Sequence, residues 1–267
     1  MEEQGNKLVV ASDGKAAPQT IRISPDKYGK FFPHQLSAAY HIGYEDVEIV
    51  YSDRKTLTHV QERIANCIGY EIVDQGDNSC RIKSISHASL DEFDQILRKV
   101  FLLLLSMGKN MVEIMEKKEY GKLEEVKVLE VTNNKLTDFC KRVLNIQGYK
   151  EFNKLTTVYI VVTYLEMIAD EYRDVCDFLA DRKTRLRPEI IDDFKKVNGL
   201  FKRFYDSYYK FSAENVNKVM ENVKPLKRRI TDKMTKAKGE EVLVLHAMSN
   251  ILQMIYELQN ANIEMRM

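Results

Sequence analysis

The sequence predicts an α+β chain that is mostly α: a small N-terminal α/β module followed by an antiparallel helical bundle. Three observations point there. The texture changes near Ser86, from short alternating segments to apolar residues that recur every three or four positions. Glycine (11) and proline (5) are scarce in 267 residues, which favours long helices. Charged residues reach 30% beside 44% hydrophobic ones, a balance suited to amphipathic helices with a solvated face and a packed face.

Taken in order, NKLVVAS (6–12) and TIRIS (20–24) read as strands separated by the loop DGKAAP. Residues 35–43 read as the end of a helix stopped by Gly43. DVEIVYS (46–52) alternates as a strand. Leu57, Val60, Ile64, Cys67 and Ile68 carry helical spacing over 57–68, and Gly69 ends that helix. YEIVDQ and CRIKSI flank Gly76-Asp77-Asn78, a hairpin signal. Beyond this module Ser89, with Glu92 three residues on, fits a capping box for a helix over 91–117. Tyr120-Gly121 breaks it. A second helix follows over 122–146, with Val126, Leu129, Leu136, Phe139 and Val143 inward, and ends at Gly148. The third and longest spans 151–182. Pro188, suited to a first helical turn, opens a fourth over 188–211. Ser212 caps a fifth over 213–237, and Gly239 separates it from a sixth over 240–265. Six helices with short connections imply bundles. The expected division is an α/β module over 1–86, a three-helix bundle over 87–186 and a second one over 187–267.

A formal net charge of +1 argues against a chain that binds nucleic acid by its overall field. Cys67, Cys80, Cys140 and Cys176 form no C-x-x-C pair and read as small buried residues. The first 30 residues hold no apolar signal core, and the longest apolar run, VFLLLLSM, falls far short of the ~20 residues a membrane span needs. A soluble, cytoplasmic protein without a membrane span is expected.

The third helix carries the segment YLEMIADEYRD. At ~100° per residue, Val158, Val161, Leu165, Ile168, Ala169, Tyr172, Val175, Cys176 and Leu179 form its apolar stripe. Glu166, Asp170, Asp174, Asp177 and Asp181 form a second stripe beside it. Like charges four residues apart cost a helix a few tenths of a kcal/mol per pair, so either water or something positive faces them. One reading is a solvated acidic face; the other is a carboxylate site for a hard cation. Di-iron chemistry is disfavoured, because none of His34, His41, His59, His87 and His246 lies three residues after a Glu. Walker A, Gly-x-Ser-x-Gly and Gly-x-Gly-x-x-Gly are absent, and no enzyme is expected. KPLKRR (224–229) reads as a solvated face or as a contact for an acidic partner or phosphate, and YDSYYKF (205–211) as packing near a helix end or as a partner surface.

LEMIADEYRDV resembles the Leu-Glu-Arg-Ile-Ala-Asp signature on the third helix of PhoU bundles, the phosphate-uptake regulators. In that family Glu/Asp-x-x-x-Asp pairs on bundle helices bind multinuclear metal clusters. Glu166 and Asp170 match the pair, and Asp174 matches the position one turn later. LEVTNNKLTDF on the second helix places Glu130 and Asn134 at the companion pair. LQMIYELQNANIE on the sixth places Gln253 and Glu257 at the repeated pair, where a charge has been lost and a metal is less expected. HIGYEDVEIVYSDRKTLTHVQERIANCIGYEIVDQ with its hairpin is similar to the middle module of archaeal-type PhoU proteins. The AbrB/SpoVT-like domain that usually precedes it is expected to be missing here, with NKLVVAS as at most a remnant. The resemblance spans roughly residues 35–265. It implies a regulator of phosphate homeostasis that acts as a non-enzymatic adaptor on a phosphate transporter's ATPase or a sensor kinase, as a homodimer. It also implies a Mg²⁺, Mn²⁺ or iron site at Glu166, Asp170, Asp174, Glu130 and Asn134. The basic, aromatic-rimmed region over 208–229, read from its charge, is expected to make the partner contact through Lys227, Arg228 and Arg229. The alternatives are a transcriptional regulator of the AbrB–PhoU type, with no specific DNA binding by this chain alone, and a metal-free helical scaffold.

Overall fold

The computed structural model describes residues 2–4, 7–9, 20–86, 89–180 and 186–267. It is an α+β chain dominated by helix, and it divides into two compact units at His87/Ala88.

In the first unit, β1 (Glu2–Gln4) and β2 (Lys7–Val9) form a short antiparallel pair. β1 has no counterpart among the elements expected above, because Glu-Glu-Gln carries no apolar alternation. The remaining strands are β3 (Thr20–Ile23), β4 (Asp46–Val50), β5 (Tyr70–Gln75) and β6 (Ser79–Ser84), which order as β3-β4-β6-β5. β3 and β4 run parallel, and the crossover between them contains the one-turn α1 (Pro25–Tyr28) and then α2 (Phe32–Ile42). β6 pairs antiparallel with β4 and, through the predicted hairpin, with β5. α2 and α3 (Thr56–Ile64) pack on each other and on the sheet. The core between them joins Leu36, Tyr40, Val60 and Cys67 to Val47, Ile49, Cys80 and Ile82. Asp46 at the start of β4 is buried and accepts from Arg81 Nε at 2.7 Å, which holds its carboxyl below the usual range.

The second unit holds α4 (Leu90–Lys117), α5 (Leu123–Gln147), α6 (Leu155–Ala180), α7 (Pro188–Tyr209), α8 (Ala213–Met234) and α9 (Glu240–Glu264). Ser89 caps α4 by accepting from Asp91 N–H at 3.1 Å, and Ser212 caps α8 by accepting from Asn215 N–H at 3.4 Å. α4 ends at Lys117 as expected, but the left-handed residue that stops it is Lys118, at φ 58°, rather than Gly121.

Four helices form a closed ring in the order α4, α6, α9, α7. α5 packs on α4 and α6, and α8 packs on α7 and α9. Each ring helix therefore supplies apolar surface to several neighbours. All nine residues of the predicted α6 stripe are fully buried, with Val162 added to them. Between α4 and α7 the ring of Phe101 meets Phe204 at 5.8 Å, Tyr205 at 5.6 Å and Tyr208 at 5.1 Å between centroids. The aromatic run YDSYYKF is thus mainly packing against Phe101. About two turns further along the same seam, Gly108 lets α7 approach closely. Asn198 Nδ2 donates to Gly108 O at 2.8 Å, and Tyr172 Oη donates to Asn198 Oδ1 at 2.8 Å. A Cβ at Gly108 would stand 2.9 Å from the Asn198 carboxamide. No helix of the described residues is long and apolar enough to cross a membrane.

Candidate functional site: the acidic stripe and its cations

The stripe on α6 faces the seam with α5, and what answers its charge is the chain itself. α5 and α6 run antiparallel, so Lys141, Glu130 and Lys127 on α5 meet Glu166, Arg173 and Asp177 on α6 in turn. Lys141 Nζ contacts Glu166 Oε2, with the lysine side chain only 10% exposed. Arg173 is the hub of the middle section. Its Nη1 donates to Asp170 Oδ1 at 2.7 Å and to Glu130 Oε1 at 3.0 Å, and its Nη2 donates to Asp174 Oδ1 at 3.0 Å. Lys127 closes the outer end, 2.8 Å from Asp177 and 3.2 Å from Glu124. Asp181 lies outside the described residues.

The electrostatics follow from this pairing. Burial pushes the Glu130 carboxyl above its usual range, against the pull of Arg173 and of the Asn134 carboxamide, whose Nδ2 donates to Glu130 Oε1 at 2.7 Å. Burial also works against the charge of Arg173. Even so, its three carboxylate partners hold the guanidinium pKa above its usual value. Lys127 is likewise raised, by Asp177 first and then Glu124.

The structure therefore brings together Glu130, Asn134, Asp170 and Asp174, and sets Glu166 apart with Lys141. Among the described residues no three His, Cys, Asp or Glu side chains are grouped to hold a metal ion. The carboxylates that do gather share Arg173. As arranged, the set does not fit a divalent ion unless that guanidinium swings out. On α9 the repeated pair is also internally bonded: Gln253 Nε2 donates to Glu257 Oε1 at 2.6 Å, and Lys227 Nζ donates to Gln253 Oε1 at 2.7 Å.

The basic run on α8 does not form one patch. Successive residues turn ~100° about the helix axis, so the run disperses. Lys224 stands over the Tyr256 ring at 5.3 Å, Lys227 reaches Gln253, and Arg228 is exposed. Arg229 turns the other way, to α7, where it contacts Asp193. Asp193 is 1% exposed and also receives Lys233 Nζ at 2.7 Å, with Lys196 at 3.7 Å. Arg229 thus holds a helix seam, and reversing its charge would place two carboxylates together at a buried point.

The cysteines are not poised as nucleophiles: all four are buried, and burial pushes three of the thiols up, to about 11 for Cys80 and about 12 for Cys140 and Cys176. The residues that were hardest to anticipate are the partners, Arg173 and Lys141 on one seam and Asp193 on the other. Within a single segment, Asp170-x-x-Arg173 and Asp193-x-x-Lys196 stand at helical spacing, whereas the partners across the seams do not show. No protein-family profile, no curated protein and no solved structure matches this chain.

Proposed function

We propose that the protein is a non-enzymatic adaptor in the regulation of phosphate uptake, and that it docks through its helical unit on a phosphate transporter's ATPase or on a sensor kinase. The observation that carries the non-enzymatic part is the pairing of the acidic stripe: Glu166, Asp170, Asp174 and Asp177 each face a cation of the same chain. A general acid or base needs a group near its working pKa within reach of a substrate, and carboxylates committed to Lys and Arg are structural elements instead. The thiols, held protonated in the core, offer no nucleophile. The chemistry left to the chain is recognition by its outer surface. The phosphate assignment rests on the likeness of LEMIADEYRDV and its flanking helices to PhoU bundles.

The test is direct binding of the purified full-length chain to a purified phosphate-transporter ATPase subunit and to the cytoplasmic part of a phosphate sensor kinase, followed by calorimetry. A saturable complex with either supports the reading. Binding to neither, or turnover of a phosphate ester by the purified chain, overturns it.

A further inference from the structure

We infer that the cleft between α7 and α8 is a docking groove for an acidic amphipathic helix of a partner protein. The inference rests on the adaptor reading and adds to it the place and chemistry of the contact.

The cleft has a volume of about 670 Å³ and belongs wholly to the helical unit. Four cations line it, Lys196 and Arg203 from α7 and Lys218 and Arg229 from α8, and no carboxylate does. The acids nearby offset them only in part: buried Asp193 pairs with Arg229 and stands 3.7 Å from Lys196, and Glu214 pairs with Lys218 and is also drawn by the charge of Arg203, so the four cations outnumber the two carboxylates. Arg203 makes no hydrogen bond or ion pair among the described residues. Between the cations stand Leu200 on one wall and Pro225, Leu226 and the polar Asn222 on the other. Gly199 leaves its edge open: a Cβ there would meet nothing within 4 Å.

The spacing of these charges selects the ligand. Lys196 and Arg203 stand seven residues apart and Lys218 and Arg229 eleven, or about 10 Å and about 16 Å along their helices at ~1.5 Å per residue. A single phosphate cannot span them. The walls are helix flanks, whose backbone N–H groups are already bonded, so no backbone cradle for phosphate exists here. No aromatic ring lines the cleft to stack a base. What fits is an elongated ligand with an apolar ridge and negative charges on both flanks. That describes an amphipathic helix lying in a groove, with anchors at i, i+3 and i+4 and acids at its margins. Charge complementarity of this kind sets partner choice and association rate.

The test uses the full chain and three fluorescein-labelled synthetic peptides. One is a helix-forming peptide with leucines on one face and glutamates along both flanks. The second has glutamine in place of each glutamate, and the third has serine in place of each leucine. Anisotropy should report saturable binding of the first and loss of both controls. The groove variant Lys196→Glu/Arg203→Glu/Lys218→Glu should bind roughly ten- to a hundred-fold more weakly, as expected when three partly exposed attractions become repulsions. The charge-matched variant Lys224→Glu/Lys227→Glu/Arg228→Glu, on the rest of α8, should bind like the wild type. Circular dichroism should show both variants folded. Equal weakening by the two variants, or binding of the serine peptide as tightly as the leucine one, reduces the effect to bulk charge and overturns the inference. So does displacement of the peptide by inorganic phosphate at an ionic strength where sulfate has no effect. If a transporter ATPase or sensor kinase binds wild type and groove variant alike, the groove assignment falls and the adaptor reading stands. If the peptide binds the groove but neither protein binds the chain, the groove stands and the phosphate assignment falls.

Discussion

Replacing Asp193 by asparagine should loosen the α7–α8 seam by more than any exposed ion pair in the helical unit. Asp193 is 1% exposed, and its two oxygens are divided between Arg229 and Lys233, with Lys196 at 3.7 Å. Asparagine keeps the shape and one acceptor but removes the charge that holds three cations. Breaking a fully buried pair costs about 3–5 kcal/mol. Here the side chains of Arg229 and Lys233 are 44% and 24% exposed and can recover water, so the loss should be nearer the ~2 kcal/mol of charge-assisted hydrogen bonds. At ~2–4 °C per kcal/mol for a domain of this size, the midpoint should fall by about 4–8 °C. The assay is thermal unfolding followed by far-ultraviolet circular dichroism, beside Asp206→Asn, which removes an exposed pair with Lys202. Raising the salt should erase little of the difference, because buried pairs are weakly screened. A shift for Asp193→Asn no larger than that for Asp206→Asn would show that the seam is held by its apolar residues alone.

Removing Arg173 should convert a closed carboxylate set into an open one. Arg173→Ala is expected to lower the midpoint in chelator and to gain more than the wild type from millimolar Mn²⁺, because a ligand of the folded state stabilises by mass action; equal gains for the two proteins would refute the closure. Glu171 on α6, half-buried beside Asn250 Nδ2 at 2.8 Å, has its carboxyl raised by burial above the ordinary 4.5, as Glu130 does. A raised carboxyl binds its proton more tightly in the folded state, so its stabilising effect is present below the ordinary value and fades as pH rises through the folded one. Urea midpoints measured between about pH 4.5 and pH 7 should therefore decline less for Glu171→Gln than for the wild type, and parallel curves would contradict this. Two helical glycines should respond with opposite signs. Gly199→Ala should stabilise by about 0.5–1 kcal/mol, since a methyl there enters open space. Gly108→Ala should destabilise, since its methyl meets Asn198; denaturant titration of both variants decides it.

Periodicity made the helices legible, because a buried stripe must recur every three or four residues whatever it packs against. The nine apolar residues named on α6 are all buried for that reason. What stops a helix was less legible than where it stops: α4 ends at Lys117 as expected, yet Lys118 takes a left-handed conformation that composition assigns to glycine. The acids of the candidate site were visible and their partners were not. Glu130 and Arg173 are 43 positions apart, and only the register of α5 on α6 brings them together. The same limit hid Asp193 behind Arg229 and scattered a basic run that looks continuous in sequence. A helical projection separates Lys227 from Arg229, but which one faces a buried acid depends on α7.

The placement of α8 outside the ring orders how the unit comes apart. α8 rests on α7 and α9 through one face, carries Pro225 within its length, and buries five apolar residues, Val216, Val219, Val223, Leu226 and Ile230. A ring helix such as α9 is gripped from several sides and buries more. α8 should therefore open by itself far more often than the unit unfolds, and its amides should exchange with solvent first. A protease or a chaperone would meet this helix before any other part of the bundle.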